Sequence, residues 1–254
     1  MSAGAQDGGA QTCPNEAQPP IAGTEGDDTL NGTPQADRIL AGGGADIVNA
    51  LQGDDCVRGG GGLLEIDEIQ GGRGRDTIFG DDGDDDLSGG SDGDRVFGGN
   101  GFDFVSGGLG DDELFGEDGP DDINGGRGDD EMDGGAGIDY LDGGLGRAEL
   151  DGGDQSDRLS GGDGIDTILG GDGNDRLAGG LDGDRLTGGA GNDLIDGGDG
   201  RNRYSAGPGR DVIDAANGSI ETINCGTGRD VVRADSTDRV IGCERVFRLR
   251  LVNP

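Results

Sequence analysis

An apolar residue recurs at a fixed nine-residue interval through a chain that is otherwise polar and rich in glycine. From Gly71 to Asp214 the sequence divides into sixteen consecutive nonamers without insertion, among them GGRGDDEMD, GGDGIDTIL, GGDGNDRLA and GGAGNDLID. They fit the pattern G-G-x-G-x-D-x-U-x, where U is a large apolar side chain. Looser copies come first: GTEGDDTLN from Gly23, then GTPQADRIL, AGGGADIVN and ALQGDDCVR. A twelve-residue unit (59–70) carries three extra residues and resets the phase. A ten-residue unit (215–224) follows the strict block, and then come CGTGRDVVR and ADSTDRVIG. A period of this kind marks stacked copies of one supersecondary unit.

Composition alone points elsewhere. Only 30% of residues are hydrophobic and 3% aromatic, and the formal charge is −35, a profile that reads as disorder. Glycine is 62 of 254 residues but lacks the three-residue period of collagen. The U position decides against disorder. It reads Leu30, Ile39, Val48, Val57 and Ile69, then Ile78 through Ile213 in the strict block, then Ile223, Val232 and Ile241, apolar throughout. A disordered linker has no reason to keep that phase. The acidic charge repels nucleic acid and anionic membranes, so cations are the natural ligands. No apolar run approaches the ~18 residues of a membrane span, and none is expected. Met1 is followed by SAGAQDGGAQ, which has neither a basic nor an apolar signal region. The expectation is either a signal not present in this chain, which the cysteine pairs favour, or another export route.

Within each nonamer the first six residues form a turn and the last three a short strand. Strand side chains alternate, so U points inward while positions 7 and 9 point out. Two nonamers then make an 18-residue coil, and stacked coils give two parallel sheets around a thin aliphatic core. Turns 18 residues apart lie ~4.8 Å from each other, so the position-6 aspartates line up in two columns. Carboxylates and turn carbonyls are hard oxygen donors of the kind Ca²⁺ takes, and Mg²⁺, which needs a tighter octahedron, suits them less. With no His and four Cys, little is on offer to zinc or copper. One aliphatic side chain per nine residues does not offset the entropy of ordering them, so folding is expected to depend on the metal.

The repeat resembles the RTX (repeats-in-toxin) nonapeptide over about 220 residues of the chain. That resemblance implies an all-β, right-handed parallel β-roll with Ca²⁺ columns along both turn edges. Each ion would sit between turns n and n+2, held by position-6 carboxylates and backbone carbonyls. Carried over residue by residue, the metal ligands are Asp28, Asp37, Asp46, Asp55, Asp76, Asp85, Asp94, Asp103, Asp112, Asp121, Asp130, Asp139, Asp157, Asp166, Asp175, Asp184, Asp193, Asp211 and Asp230. Position 6 departs from the pattern at Ala148 and Asn202, and position 4 at Gln35, Asp92, Gln155 and Asp182. Roughly a dozen or more Ca²⁺ ions are expected, enough to offset most of the −35. The expected organisation is a Pro-rich arm (1–22), the β-roll (23–233) and a C-terminal cap (234–254).

Cys225 and Cys243 are 18 residues apart, one coil, which places their Cα atoms about 5 Å from each other and within disulfide range. Cys13 and Cys56 would then pair and pin the arm to an early coil. Disulfides imply an oxidising compartment, so the protein is expected to be secreted or extracellular. Phe79, Phe97 and Phe115 fall at position 9 of alternate repeats and should stack as an outward ladder. That ladder either stiffens the sheet or offers a docking patch to a partner or a second copy. Glu113, Glu131 and Glu149 form a like-charged column at position 7 of the same sheet.

The function these features favour is an extracellular calcium-binding structural or surface protein. The alternative is a calcium-dependent folding or secretion module of a larger exoprotein such as a protease, lipase or cytolysin. An ice-binding solenoid would need regular outward Thr ladders, and the outward positions here mix Arg, Asp, Glu, Phe and Ser. Enzymatic activity is not expected: there is no His, no G-x-S-x-G elbow and no P-loop, and the carboxylates are accounted for as metal ligands.

Overall fold

The computed structural model describes Cys13, residues 18–62 and residues 64–249. Much of the expected arm (1–12 and 14–17) and the last five residues of the expected cap lie outside the described residues. Strands alternate between two parallel sheets of thirteen strands each, so every strand pairs with the next but one in sequence. The first sheet contains the strands Arg38–Gly42, Thr77–Asp82, Arg95–Asn100 and Glu113–Asp118; the second contains Ile47–Gln52, Asp86–Ser91 and Phe104–Leu109. This is the expected parallel β-roll.

Register follows the U position. Ile78 lies opposite Val96 and Val96 opposite Leu114 in the first sheet; Leu87 lies opposite Val105 in the second. These side chains are buried between the sheets with small residues at position 1, such as Ala41, Ala50 and Ala206. Position 1 must be small because it too points inward, into a core only one aliphatic layer deep. Units of irregular length are absorbed at the turns. Across the twelve-residue unit Val48 pairs with Ile69, and Leu64 in the inserted stretch is almost wholly exposed. Ile21 and Ala22 already pair with Ile39 and Leu40, and Arg239–Ile241 and Arg245–Leu249 supply the last strand of each sheet.

The last coil corrects one expectation. Val240, not Ile241, lies opposite Ile223 and packs on the core, while Ile241 is exposed. This coil is one residue short, and a one-residue slip moves the other parity of side chains inward.

Turn backbone explains the glycine at position 4. Gly128 has φ +145°, and a Cβ there would run into the carbonyl of Gly110 one coil away. Gly128→Ala should therefore destabilise the calcium-loaded protein by more than about 3 kcal/mol, read as a fall in its urea midpoint. Asp92, Gln155 and Asp182 stay in positive φ, at 81°, 78° and 71°, so these three departures at position 4 keep a left-handed turn under strain, whereas Gln35 does not adopt one. Gln155→Gly should raise the midpoint, by about 1 kcal/mol, because it removes that strain without changing charge. A lowered midpoint would show that Gln155 makes compensating contacts.

Both disulfides are present, with Cα–Cα distances of 5.6 Å for Cys13–Cys56 and 5.2 Å for Cys225–Cys243. Cys225 is a buried position-1 residue, so the second bridge ties the end of the core together. The Phe ladder forms on the outer face of the first sheet, with ring centroids 5.0 Å and 4.8 Å apart and nearly parallel rings. It is not an open patch. Phe79 and Phe97 are buried in a cluster with Cys13 and Cys56, and the guanidinium of Arg58 lies over the Phe79 ring; only Phe115 stays partly exposed. The first disulfide holds Cys13 against the outer face of this sheet, which fits the stiffening role and leaves little ladder for a partner.

Candidate metal centre

All nineteen sequence-assigned aspartates stand in the two columns. The first column leads into the first sheet: Asp37, Asp55, Asp76, Asp94, Asp112, Asp130, Asp166 and Asp184. The second leads into the second sheet: Asp28, Asp46, Asp85, Asp103, Asp121, Asp139, Asp157, Asp175, Asp193, Asp211 and Asp230. Within a column, each Oδ1 accepts the amide of the position-6 residue one coil earlier. The Asp85 amide donates to Asp103 at 2.8 Å, and the Asp103 amide donates to Asp121 at 2.9 Å. Position 6 ends the turn and its side chain points along the stack, which is why one residue type builds a continuous ladder.

The ladder uses one oxygen of each carboxylate. In eighteen of these buried aspartates, Asp67 included, Oδ2 has no hydrogen-bond partner, and neither has Oε2 of Glu221. Asn202 reveals what lies opposite. Its Oδ1 continues the ladder by accepting the Asp184 amide, and its Nδ2 donates to the carbonyl of Gly197 at 2.9 Å. In an aspartate repeat the equivalent atom is an oxygen, so an acceptor faces an acceptor. A buried anion in that arrangement needs a cation or a proton. Burial, above all, pushes these carboxyls up from 3.8: Asp94 to about 8, and Asp55, Asp85, Asp103, Asp121 and Asp157 to about 7. Neighbouring carboxylates add to the rise, and the amide hydrogen bonds oppose it. Asp28 and Asp37 differ, because their Oδ2 atoms accept the amides of Thr24 and Thr33 at 2.6 Å.

Ala148 breaks the first column. With no carboxylate there, the Asp130 amide donates to the carbonyl of Arg147 at 3.0 Å instead, and the ladder resumes from the Ala148 amide to Asp166. Both departures at position 6 therefore fall on one edge, and the second column runs unbroken.

Four column members were missed in the sequence. Asp67 receives the Asp46 amide, Glu221 the Asn202 amide, Asp238 the Glu221 amide and Glu244 the Asp230 amide. Each sits in an off-length unit. The signal was an acid two residues before an apolar residue in the U register: Asp67 before Ile69, Glu221 before Ile223, Asp238 before Val240, and Glu244 before Val246. Val246 lies opposite Val232 in the last strand but is exposed. An outer ladder at position 5 was also missed, in which Asp111 accepts the Asp129 amide and Asp129 the Arg147 amide.

Among the described residues no three carboxylates converge on one point. A metal here would be shared between successive turns, with one or two carboxylates completed by backbone carbonyls. The donor set is all oxygen, anionic and partly unsatisfied, and it fits Ca²⁺. Stacked nonapeptide turns with such oxygens along both edges define a calcium-binding β-roll. The chain belongs to the RTX calcium-binding nonapeptide repeat family, whose four-copy model matches residues 22–57, 61–96, 88–123, 115–148, 151–186 and 179–213. No curated protein matches it. Among solved structures it is similar to a hyperactive, Ca²⁺-dependent, β-helical antifreeze protein from an Antarctic bacterium. The identity is 19% and the TM-score 0.40, over 89% of this chain and 81% of that one.

Proposed function

We propose that this protein is an extracellular structural protein whose fold is assembled by roughly a dozen or more Ca²⁺ ions held in the two aspartate columns. The observation that carries the reading is the row of buried, unpartnered Oδ2 atoms on both edges. The two disulfides support an oxidising, calcium-rich location. The nineteen assigned aspartates are the ligands, joined by Asp67 and Glu221. Outward positions of the first sheet run Thr77, Arg95, Glu113, Glu131, Glu149, Thr167 and Arg185, without one repeated hydroxyl residue, so an ice-ordering face is not proposed.

The two columns should fill unequally. Ala148 takes a carboxylate from the sites on either side of it, and Asn202 supplies its own donor where an aspartate would require a cation. Anomalous difference maps from crystals grown at limiting calcium should show the second column filled from Asp67 to Asp230. The first should have weak or empty sites beside Ala148 and Asn202. Native mass spectrometry should find that Ala148→Asp gains calcium. Equal occupancy next to Ala148 would sink the assignment.

A further inference from the structure

Beside the defects of the first column lies a concavity of about 580 Å³. Along the edge, position 5 reads Arg147, Ile165, Gly183, Arg201 and Ile220 in successive coils. Beside it, position 7 reads Thr167, Arg185, Arg203 and Thr222, in the register of the paired strands. Gly183 has no side chain, so it leaves a notch between Ile165 and Arg201. Four arginines line the cleft in a chain whose net charge is −35. Its two acids, Asp166 and Asp184, are buried column members that accept the amides of Ala148 and Asp166.

Arg185 and Arg203 are stacked directly opposite each other; their amides donate to the Asp166 and Asp184 carbonyls, but among the described residues neither guanidinium makes an ion pair or hydrogen bond. Like charges in that arrangement destabilise a sheet unless an anion sits between them. Two arginines elsewhere on the molecule find an acid one coil away: Arg95 bonds Glu113 at 2.7 Å, and Arg233 bonds Asp214 at 2.7 Å. An internal comparison sits on the same edge at Gly93, in the repeat GGSDGDRVF that parallels GGLDGDRLT around Gly183. That concavity is lined by five acids, Asp54, Asp76, Asp94, Asp111 and Glu113, against Arg75 and Arg95, so its charge is net negative. The Gly183 cleft differs in that four arginines face two acids along its lining, and of the four only Arg147 has an ion pair among the described residues, to Glu149 at 2.6 Å.

We propose that the Gly183 cleft binds an oxyanion, a sulfate or phosphate ester, between the guanidiniums of Arg185 and Arg203. Arginine forks match such oxygens with paired hydrogen bonds. Arg201, whose Nε donates to the carbonyl of Ile220, is held at the rim with other guanidinium donors to offer. The cleft has room for more than a bare ion, and exposed Ile165 and Ile220 give apolar contact to whatever bears the ester.

Titration calorimetry on the calcium-loaded full chain tests this with inorganic sulfate, glucose 6-sulfate and glucose 6-phosphate. Saturable one-site binding is expected, tighter for the sugar esters than for sulfate, and the preferred ester identifies the source. Arg185→Ser/Arg203→Ser should weaken binding about tenfold for each guanidinium removed, with circular dichroism of the loaded protein unchanged. Arg158→Ser/Arg176→Ser removes an equally stacked pair from the other sheet and should leave binding intact. Absence of saturable binding by all three probes overturns the proposal. So does an equal loss in the Arg158/Arg176 variant, which would show diffuse attraction.

Discussion

Stripped of calcium at neutral pH, the chain should lose most of its β structure, and calcium at millimolar concentration or below should restore it in one cooperative transition. Each coil buries two aliphatic side chains and two carboxylates, and the carboxylates oppose the stack. Their Oδ2 atoms are buried without partners and recur one strand spacing apart. Ionised together without a cation, they combine desolvation with mutual repulsion in a chain already at −35. Calcium reverses both terms, since it supplies the missing partner and bridges the turns it touches. Each ion needs two neighbouring turns in place, so binding at one level favours the next, as expected of a stack coupled through nearest neighbours. Far-UV circular dichroism during a calcium titration after EDTA treatment measures this. Mg²⁺ should restore far less, because these turns offer carbonyls and carboxylates at varied reach and no tight octahedron. Full β content in EDTA at neutral pH would mean that the core and disulfides suffice, and the columns would then be a consequence of the fold and not its cause.

Most of this architecture was legible because strand alternation and coil stacking act on every repeat alike. The inward U residues, the two columns and the Cys225–Cys243 bridge follow from counting nine and eighteen. Counting failed where a coil changes length. Asp67 lies 18 residues before Asp85 but 21 after Asp46. Glu221, Asp238 and Glu244 lie 19, 17 and 14 residues after the column members they follow. The acid-x-apolar order inside the unit is therefore what finds all four. The same change of length placed Val240 and not Ile241 inside. Two other features were beyond pattern. Burial of Phe79 and Phe97 comes with the placement of Cys13 and Cys56 against them, a tertiary fact that position 9 does not encode. The division of labour within each carboxylate, Oδ1 to an amide and Oδ2 to nothing, needs side-chain positions. Once these are known, Asn202 changes from a departure at position 6 to a residue that satisfies its own site.

Acid should do part of calcium's work on the metal-free chain, and should undo calcium's work on the loaded one. In the metal-free fold Asp94 titrates at about 8, and Asp55, Asp85, Asp103, Asp121 and Asp157 at about 7, primarily because burial penalises the charged form. Asp76, Asp130, Asp139 and Asp193 follow at about 6. All of these exceed the 3.8 of an exposed aspartate, so the fold holds protons that the unfolded chain releases. Stability from this source is fully present below 3.8 and is lost as pH rises through 6 to 8. A protonated Oδ2 gains the donor that Asn202 has permanently, and can bond the carbonyl it faces. Lowering the pH of the metal-free protein from about 8 to about 4 should therefore raise its β content in EGTA. Over the same range the calcium midpoint should move to higher concentration, because protons and calcium compete for the same oxygens. The two curves must slope in opposite directions. A metal-free chain equally unfolded at both ends of the range would show that neutralising the columns is not enough, and that calcium acts chiefly as a bridge between turns.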